Sequence, residues 1–251
     1  MSPERQPDRP AGGIAVTRVD LSSGHRFGRH RHSSHQLAWA SRGLVTMGVD
    51  DRLWVLPRSR ALWIPAGTHH DVRSDGATTM MGIYLRPERC PIRWPEPTIV
   101  DTSGLLGDLL EHLADDLEPR PRERVEAVVY DLLRPMAVAT IDVPVPVDER
   151  GAAVAAALIA DPADDRPLHE WGRLVGASGR TLARVIERET GMGFERWRTH
   201  IRIAAALSRL AAGSSVTRVA HDVGYATPSA FVAAFRRTTG TTPGAYFAPP
   251  T

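Results

Sequence analysis

At 251 residues, 42% of them hydrophobic and 24% charged, the chain has the length of two ordinary domains and a globular composition, which excludes a disordered or fibrous class. No apolar run reaches the length of a membrane span and no apolar signal region follows the N-terminal charges. The single cysteine, Cys90, excludes an internal disulfide framework, so a cytoplasmic location is expected. The net charge of +2 is polarised: Arg166–Thr251 carries 12 Arg against 5 acids, and the rest carries 19 Arg against 24 acids. That distribution points to an acidic sensor joined to a module for a polyanion. All 31 basic residues are Arg, the better side chain for bidentate contacts to phosphate and guanine; Arg and Ala without Lys suit a bacterium with a GC-rich genome.

Residues 1–13, rich in Pro, Arg and Gly, read as a disordered lead-in. Across 14–97, short β-type runs are broken by Gly, Pro and Asp: Gln36–Ala40, Leu44–Val49, Leu53–Leu56, Ala61–Ile64 and Met80–Leu85. They predict an antiparallel barrel or sandwich, and Arg86–Pro97, with its four prolines, reads as a connector. Helical periodicity governs 98–141. Leu105, Leu106, Leu109, Leu110, Leu113 and Leu117 form one stripe, and Val125, Val128, Val129, Leu132, Leu133 and Met136 form another. Pro119-Arg-Pro121 joins them, so an antiparallel helix pair is expected, either covering its own barrel or forming a homodimer interface. Residues 142–149, with alternating Val and Pro, read as a stiff extended linker. The last domain, 150–251, opens with an Ala-rich helix over Gly151–Ala160. The fold class expected is multidomain: an all-β barrel with an appended helical pair, then an all-α domain.

That last domain contains an imperfect repeat, Leu168–Trp197 and Val216–Tyr246. Gly172, Val175 and Gly176 answer Ala220, Val223 and Gly224 at an offset of 48. Beyond the turn the offset is 49: Ser178 answers Thr227, Leu182 Phe231, Ile186 Phe235, Thr190-Gly191 Thr239-Gly240, and Trp197 Tyr246. Each copy reads as a short helix, a tight Gly turn and a second helix opened by a hydroxyl residue. This is the helix-turn-helix layout, over about 168–190 and 216–239, with a long helix from about Phe194 to Leu210 between the copies. Ser178 and Thr227 are placed as N-caps and Pro228 at a first helical position. Leu182, Val185 and Ile186, and in the second copy Phe231 and Phe235, form the buried faces. Opposite them stand Arg180 and Arg184, beside small Gly179 and Ala183 that would let the helix sink into a groove. The second reading helix offers only Pro228, Ser229, Val232 and Ala233, then Arg236 and Arg237 for phosphate, so base choice is expected mainly under the first copy.

Over Leu168–Phe247 the chain resembles the DNA-binding domain of AraC/XylS transcription regulators. The matching residues are Ser178-x-Arg180-Thr181-Leu182-x-Arg184, Val219-Ala220-x-x-Val223-Gly224-Tyr225, Ser229-Ala230-Phe231, Phe235-Arg236-Arg237 and Thr242-Pro243-x-x-Tyr246. The resemblance implies double-stranded DNA as partner, bound at an operator of two adjacent major-groove half-sites. The DNA-binding residues it suggests are Ser178, Arg180, Thr181, Ala183, Arg184, Thr227, Pro228, Ser229, Val232, Ala233, Arg236 and Arg237. RNA polymerase would be a further partner if the protein activates.

In the first half, Gly24-x5-His30-x-His32-x3-Gln36-x6-Gly43 is similar to the first cupin motif, with Gln where Glu is commoner. Pro65-x-Gly67-x-x-His70 resembles the second, with Ser59 and Ser74 where Gly and Asn are usual. Residues 24–86 thus resemble a cupin sensor barrel. Trp63-Ile-Pro-Ala-Gly-x-x-His70 also resembles the group of regulators that holds the nitroimidazole-responsive repressor and the repressor of iron proteins. In a strand, His30 and His32 would share one side; with Gln36 and His70 they could hold Zn, Fe, Ni or Mn, or simply line a ligand pocket without metal. His35 and His69 should point outward. No cofactor is certain, and no catalytic residue is assigned because no separate acid, base or nucleophile set is present. The leading reading is a non-enzymatic transcription regulator modulated by a small-molecule or metal effector. The alternatives are a metal-dependent cupin enzyme, such as a dioxygenase or isomerase, with a DNA-binding tail, and a constitutive DNA binder.

Overall fold

The computed structural model describes residues 13–50, 52–74, 76–136 and 142–247; of the expected lead-in, only Gly13 falls within them. These form two compact units, the second holding residues 52–55 and 142–246. The chain order of the first part is β1 (Ile14–Leu21), β2 (Arg26–His30), β3 (His35–Arg42), β4 (Leu44–Val49), β5 (Arg52–Pro57), β6 (Arg60–Ile64), β7 (His70–Arg73), β8 (Thr78–Leu85) and β9 (Thr98–Asp101). Helices α1 (Leu105–His112) and α2 (Pro119–Leu132) follow.

The first unit is a cupin-like arrangement of antiparallel sheets. One has the order β1-β8-β3-β6-β9, and β7 lies between β2 and β4 in the other. In the first sheet Leu37 stands opposite both Trp63 and Ile83, and Trp39 opposite both Ala61 and Met81. The strand period of two therefore gathers one apolar face, which Leu106, Leu110 and Leu113 of the α1 segment and Val129 and Leu133 of the α2 segment cover. Gln36, Ala38 and Ala40 alternate onto the other face, toward which Ile64 and Tyr84, both register partners of Gln36, also turn.

The helical pair therefore packs on its own sheet, but with a rotated stripe. Glu126, Val129 and Leu133 are buried, whereas Val128 and Leu132, expected inside, are 41% and 36% exposed. The cause is Glu126. Its carboxylate accepts the N–H groups of Gly13 (2.8 Å) and Ile14 (3.3 Å) and pairs with Arg122, which donates to the Ile14 carbonyl. Satisfying the open start of edge strand β1 outweighs burying one more valine.

The second unit continues with β10 (Asp142–Pro144), α3 (Glu149–Ala160), α4 (Leu168–Leu174), α5 (Gly179–Thr190), α6 (Phe194–Ala211), α7 (Val216–Asp222), α8 (Pro228–Thr239) and α9 (Pro243–Phe247). The expected linker is not free chain. Residues Asp142–Pro144 pair antiparallel with Arg52–Trp54, and Trp197 Nε1 donates to the Pro144 carbonyl at 2.8 Å. Alternating Val and Pro do favour extended chain, yet every second N–H survives, so one edge can still pair. Just beyond, the Glu189 carboxylate of α5 accepts from Val147 N (2.9 Å) and Asp148 N (3.0 Å), and Asp148 caps α3.

Two truncations test which side of the helical pair bears the load. Leu110→Ala should cost about 2–5 kcal/mol in denaturant unfolding, through lost transfer energy and a cavity. Val128→Ala, on the exposed side, should change stability by less than about 0.5 kcal/mol.

Candidate functional site

Each repeat folds as helix, turn, helix: α4–α5 about Gly176 and α7–α8 about Gly224. Both glycines have positive φ, 67° and 83°, which a β-carbon would strain. The hydroxyl residues after the turns are N-caps. Ser178 Oγ accepts from Thr181 N at 3.1 Å and Thr227 Oγ1 from Ala230 N at 3.2 Å. The far ends match too. Thr190 and Thr239 are buried, donate back to the Ile186 and Phe235 carbonyls, and precede left-handed Gly191 and Gly240.

Helix α5 buries Leu182, Val185 and Ile186, and α8 buries Phe231, Ala234 and Phe235. The Phe231 and Phe235 rings lie 5.7 Å apart, and Phe235 meets Tyr246 at 5.5 Å. With those faces used, Arg180 and Arg184 are exposed one helical turn apart, with no ion pair among the described residues, beside exposed Ser178 and half-buried Thr181 and Ala183. On α8, Thr227, Ser229, Ala233, Arg236 and Arg237 are exposed, and Pro228 and Val232 half-buried. Gly179 departs from expectation: a β-carbon there would come within 3.1 Å of His169 Cα, so its smallness serves α4–α5 packing rather than approach to a groove.

In the first unit, His30, His32 and His70 converge, with one ring nitrogen from each lying within 4.8 Å of the others. His30 stands opposite His70 across the β2–β7 register. His32 lies beyond the end of β2, so the two histidines do not share a strand face as the spacing suggested; the chain turns His32 back toward the pair. Ring centroids are 4.3 Å apart for His30–His70 and 5.2 Å for His32–His70. His30 Nδ1 lies 2.7 Å from the Gly28 carbonyl and His70 Nδ1 3.1 Å from that of Thr68. A carbonyl only accepts, so each Nδ1 is a proton-bearing nitrogen, and in the neutral His70 ring the lone pair is left on Nε2. Burial, reinforced by the neighbouring His30 imidazole, lowers the pKa of His32 to about 4. Burial, aided by His30, His32 and His69 against the Thr68 carbonyl, lowers that of His70 to about 4. Both rings are neutral at physiological pH.

His32 Nε2, His70 Nε2 and Gln36 Oε1 are buried without a partner among the described residues. Tyr84, not foreseen from the sequence, joins them: it stands opposite Gln36 and meets the His32 ring edge-on at 5.0 Å. Its only signal was its place in an alternating strand. His35 lies outside the cluster, stacked on Trp63 and accepting from Ala66 N, and His69 is exposed. Three converging imidazole nitrogens are a donor set a divalent transition metal accepts.

A family model for an AraC-like ligand binding domain matches residues 14–133, and one for a helix-turn-helix domain matches 171–248. The chain is 30% identical over 227 residues to the HTH-type transcriptional regulator NimR of Escherichia coli, covering 87% of this chain and 81% of that one. It is 31% identical over 214 residues to the HTH-type transcriptional regulator RipA of Corynebacterium glutamicum, covering 85% of this chain and 62% of RipA. Among solved structures, ToxT from Vibrio cholerae aligns over 94% of this chain and 98% of its own, at 11% identity and a TM-score of 0.41.

Removing either cap, by Ser178→Ala or Thr227→Ala, should lower stability by about 1 kcal/mol in urea unfolding.

Proposed function

The chain belongs to the AraC family of HTH-type transcriptional regulators, and from that membership we propose that its operator affinity is set by an effector held among His30, His32, Gln36 and His70. The observation that carries this reading is the convergence of three imidazoles, two of which bury an Nε2 that has no partner among the described residues, because buried polar atoms are normally met by protein, water or an ion. His30, His32, His70 and Gln36 would hold a divalent transition metal. Imidazole and amide donors bind as neutral ligands, so the ion would keep its full charge and supply a positive centre for an anionic small molecule. An effector alters operator binding only if it favours one DNA-binding state, and a coupling of about 1–3 kcal/mol would shift affinity about 5–150-fold. The relatives are named as transcription regulators, which favours this reading over an enzyme built on the same donor set.

On the DNA side, α5 enters the major groove and Arg180 and Arg184 choose bases, while α8 adds a shallower contact anchored on phosphate by Arg236 and Arg237. Supporting this is the contrast in outward side chains: two long guanidinium groups mid-helix on α5 against Ser229, Val232 and Ala233 on α8.

The test is selection from random duplex DNA with the purified chain, with and without Ni(II) or Zn(II). One sharp sequence block beside a weaker one is expected. Arg180→Ala or Arg184→Ala should flatten the sharp block, because a bidentate arginine–guanine pair is worth about 1–3 kcal/mol of discrimination. Arg236→Ala should weaken all sequences alike and lower the salt slope by about 1. Two equally sharp blocks would overturn the asymmetry. After dialysis against Ni(II), about one ion per chain should remain bound, and His70→Ala should abolish it. No retention, with operator binding unchanged by chelator, would rule the metal out.

A further inference from the structure

Resting on the two-half-site reading above, we infer that Arg202 is the residue that locks the two helix-turn-helix modules into one rigid reader of fixed spacing. Arg202 lies on the connecting helix α6, and its guanidinium spans both modules. Nε donates to the Pro162 carbonyl at 2.9 Å and Nη2 to that of Asp164 at 3.2 Å, both in the loop that leads into α4 of the first module. Nη1 donates to the Gly224 carbonyl at 3.2 Å, in the turn of the second. The same guanidinium sits 5.8 Å from the Tyr225 ring centroid.

A second observation shows that the modules touch where Arg202 ties them. A β-carbon on Gly224 would come within 2.9 Å of Ala163 Cα and of the Arg202 guanidinium. At the equivalent turn of the first module, a β-carbon on Gly176 would meet nothing within 4 Å. The two turns are thus alike in conformation but different in duty: one is open, and the other is wedged against the neighbouring module. One turn of α6 earlier, Arg198 donates to the Arg166 carbonyl at 3.0 Å, and the Arg166 guanidinium in turn covers the Trp171 ring of α4 at 4.1 Å. The 162–166 loop is therefore held to α6 along its length, and Arg202 carries the tie onward to the second turn.

The consequence is a specificity device that never touches DNA. A duplex offers its major groove once per helical turn, so two reading helices gain from joint binding only if their separation is preset. If the second module could swing, part of the free energy of joint binding would go into ordering it. A lysine keeps the charge and the stem but cannot reach three carbonyls with one planar fork. Arg202 acts through α8 and is a positioning residue.

The experiment uses the full chain with Cys90→Ala and spin labels at Glu187→Cys on α5 and Ala230→Cys on α8, in Arg202 and Arg202→Lys backgrounds. Binding is read on unlabelled chain with the selected operator and with a duplex keeping only the α5 block. With Arg202 the interlabel distance should be single and narrow. Arg202→Lys should broaden it and cut the preference for the full operator about tenfold, leaving affinity for the shorter duplex unchanged. Gly224→Ala, which attacks the same contact from the other side, should act likewise. An unchanged distance distribution and an unchanged preference in folded Arg202→Lys protein would overturn the inference, even if its thermal stability fell. If the parent chain itself showed no preference for the full operator, the two-half-site reading would fall, and the distance widths would still decide the lock.

Discussion

Helix α5 keeps one face free of its own protein, and that single constraint organises the second unit. Everything that holds α5 in place acts from behind or from its ends. Leu182, Val185 and Ile186 are buried behind it, Ser178 caps its start, and Thr190 closes its last turn. Glu189 ties that last turn to the chain entering from β10. What is left over is a bare outer face carrying two arginines. Helix α8 obeys the same rule with aromatic residues where α5 has aliphatic ones, so its inner face is bulkier and its outer face smaller.

The first unit meets the opposite demand, which is to keep polar groups inside. Imidazole is suited to it because a buried ring can shed its charge. His32 and His70 do so, and the backbone carbonyls near His30 and His70 take up the proton-bearing nitrogen. A glutamate at position 36 would bring a buried charge that needs a permanent counterion, whereas Gln36 brings none. Both units separate the side chains that hold the fold from those left without a partner among the described residues, on the surface in one and in the interior in the other.

The repeat was legible because its signals are local. Caps, turn glycines and the 3.6-residue spacing of apolar side chains depend on neighbours in sequence, and each fell where the spacing placed it. The histidine set was legible as residues but not as geometry. His32 does not occupy the strand its spacing implies, because a two-residue spacing reads the same in a strand and in the connection after it. Strands β2 and β7 carry little signal because Arg26–His30 and His70–Arg73 are short and largely polar. The stripe of α2 sits about one residue out of phase with its apolar pattern because a buried glutamate looks like surface until the open edge of β1 is known.

By itself the sequence determined the two-unit plan, the doubled helix-turn-helix, the capped helices and the histidines that converge in the first unit. Those follow from periodicity and backbone chemistry within a few residues. Tertiary structure alone decided that the linker pairs as a strand, that the helical pair covers its own sheet, that Tyr84 joins the histidines, and that Arg202 spans both modules. Each of these joins segments far apart in the chain. The physical reason is common to them all: a backbone or guanidinium donor bonds whichever carbonyl the fold brings within about 3 Å, and no spacing within a segment records that choice.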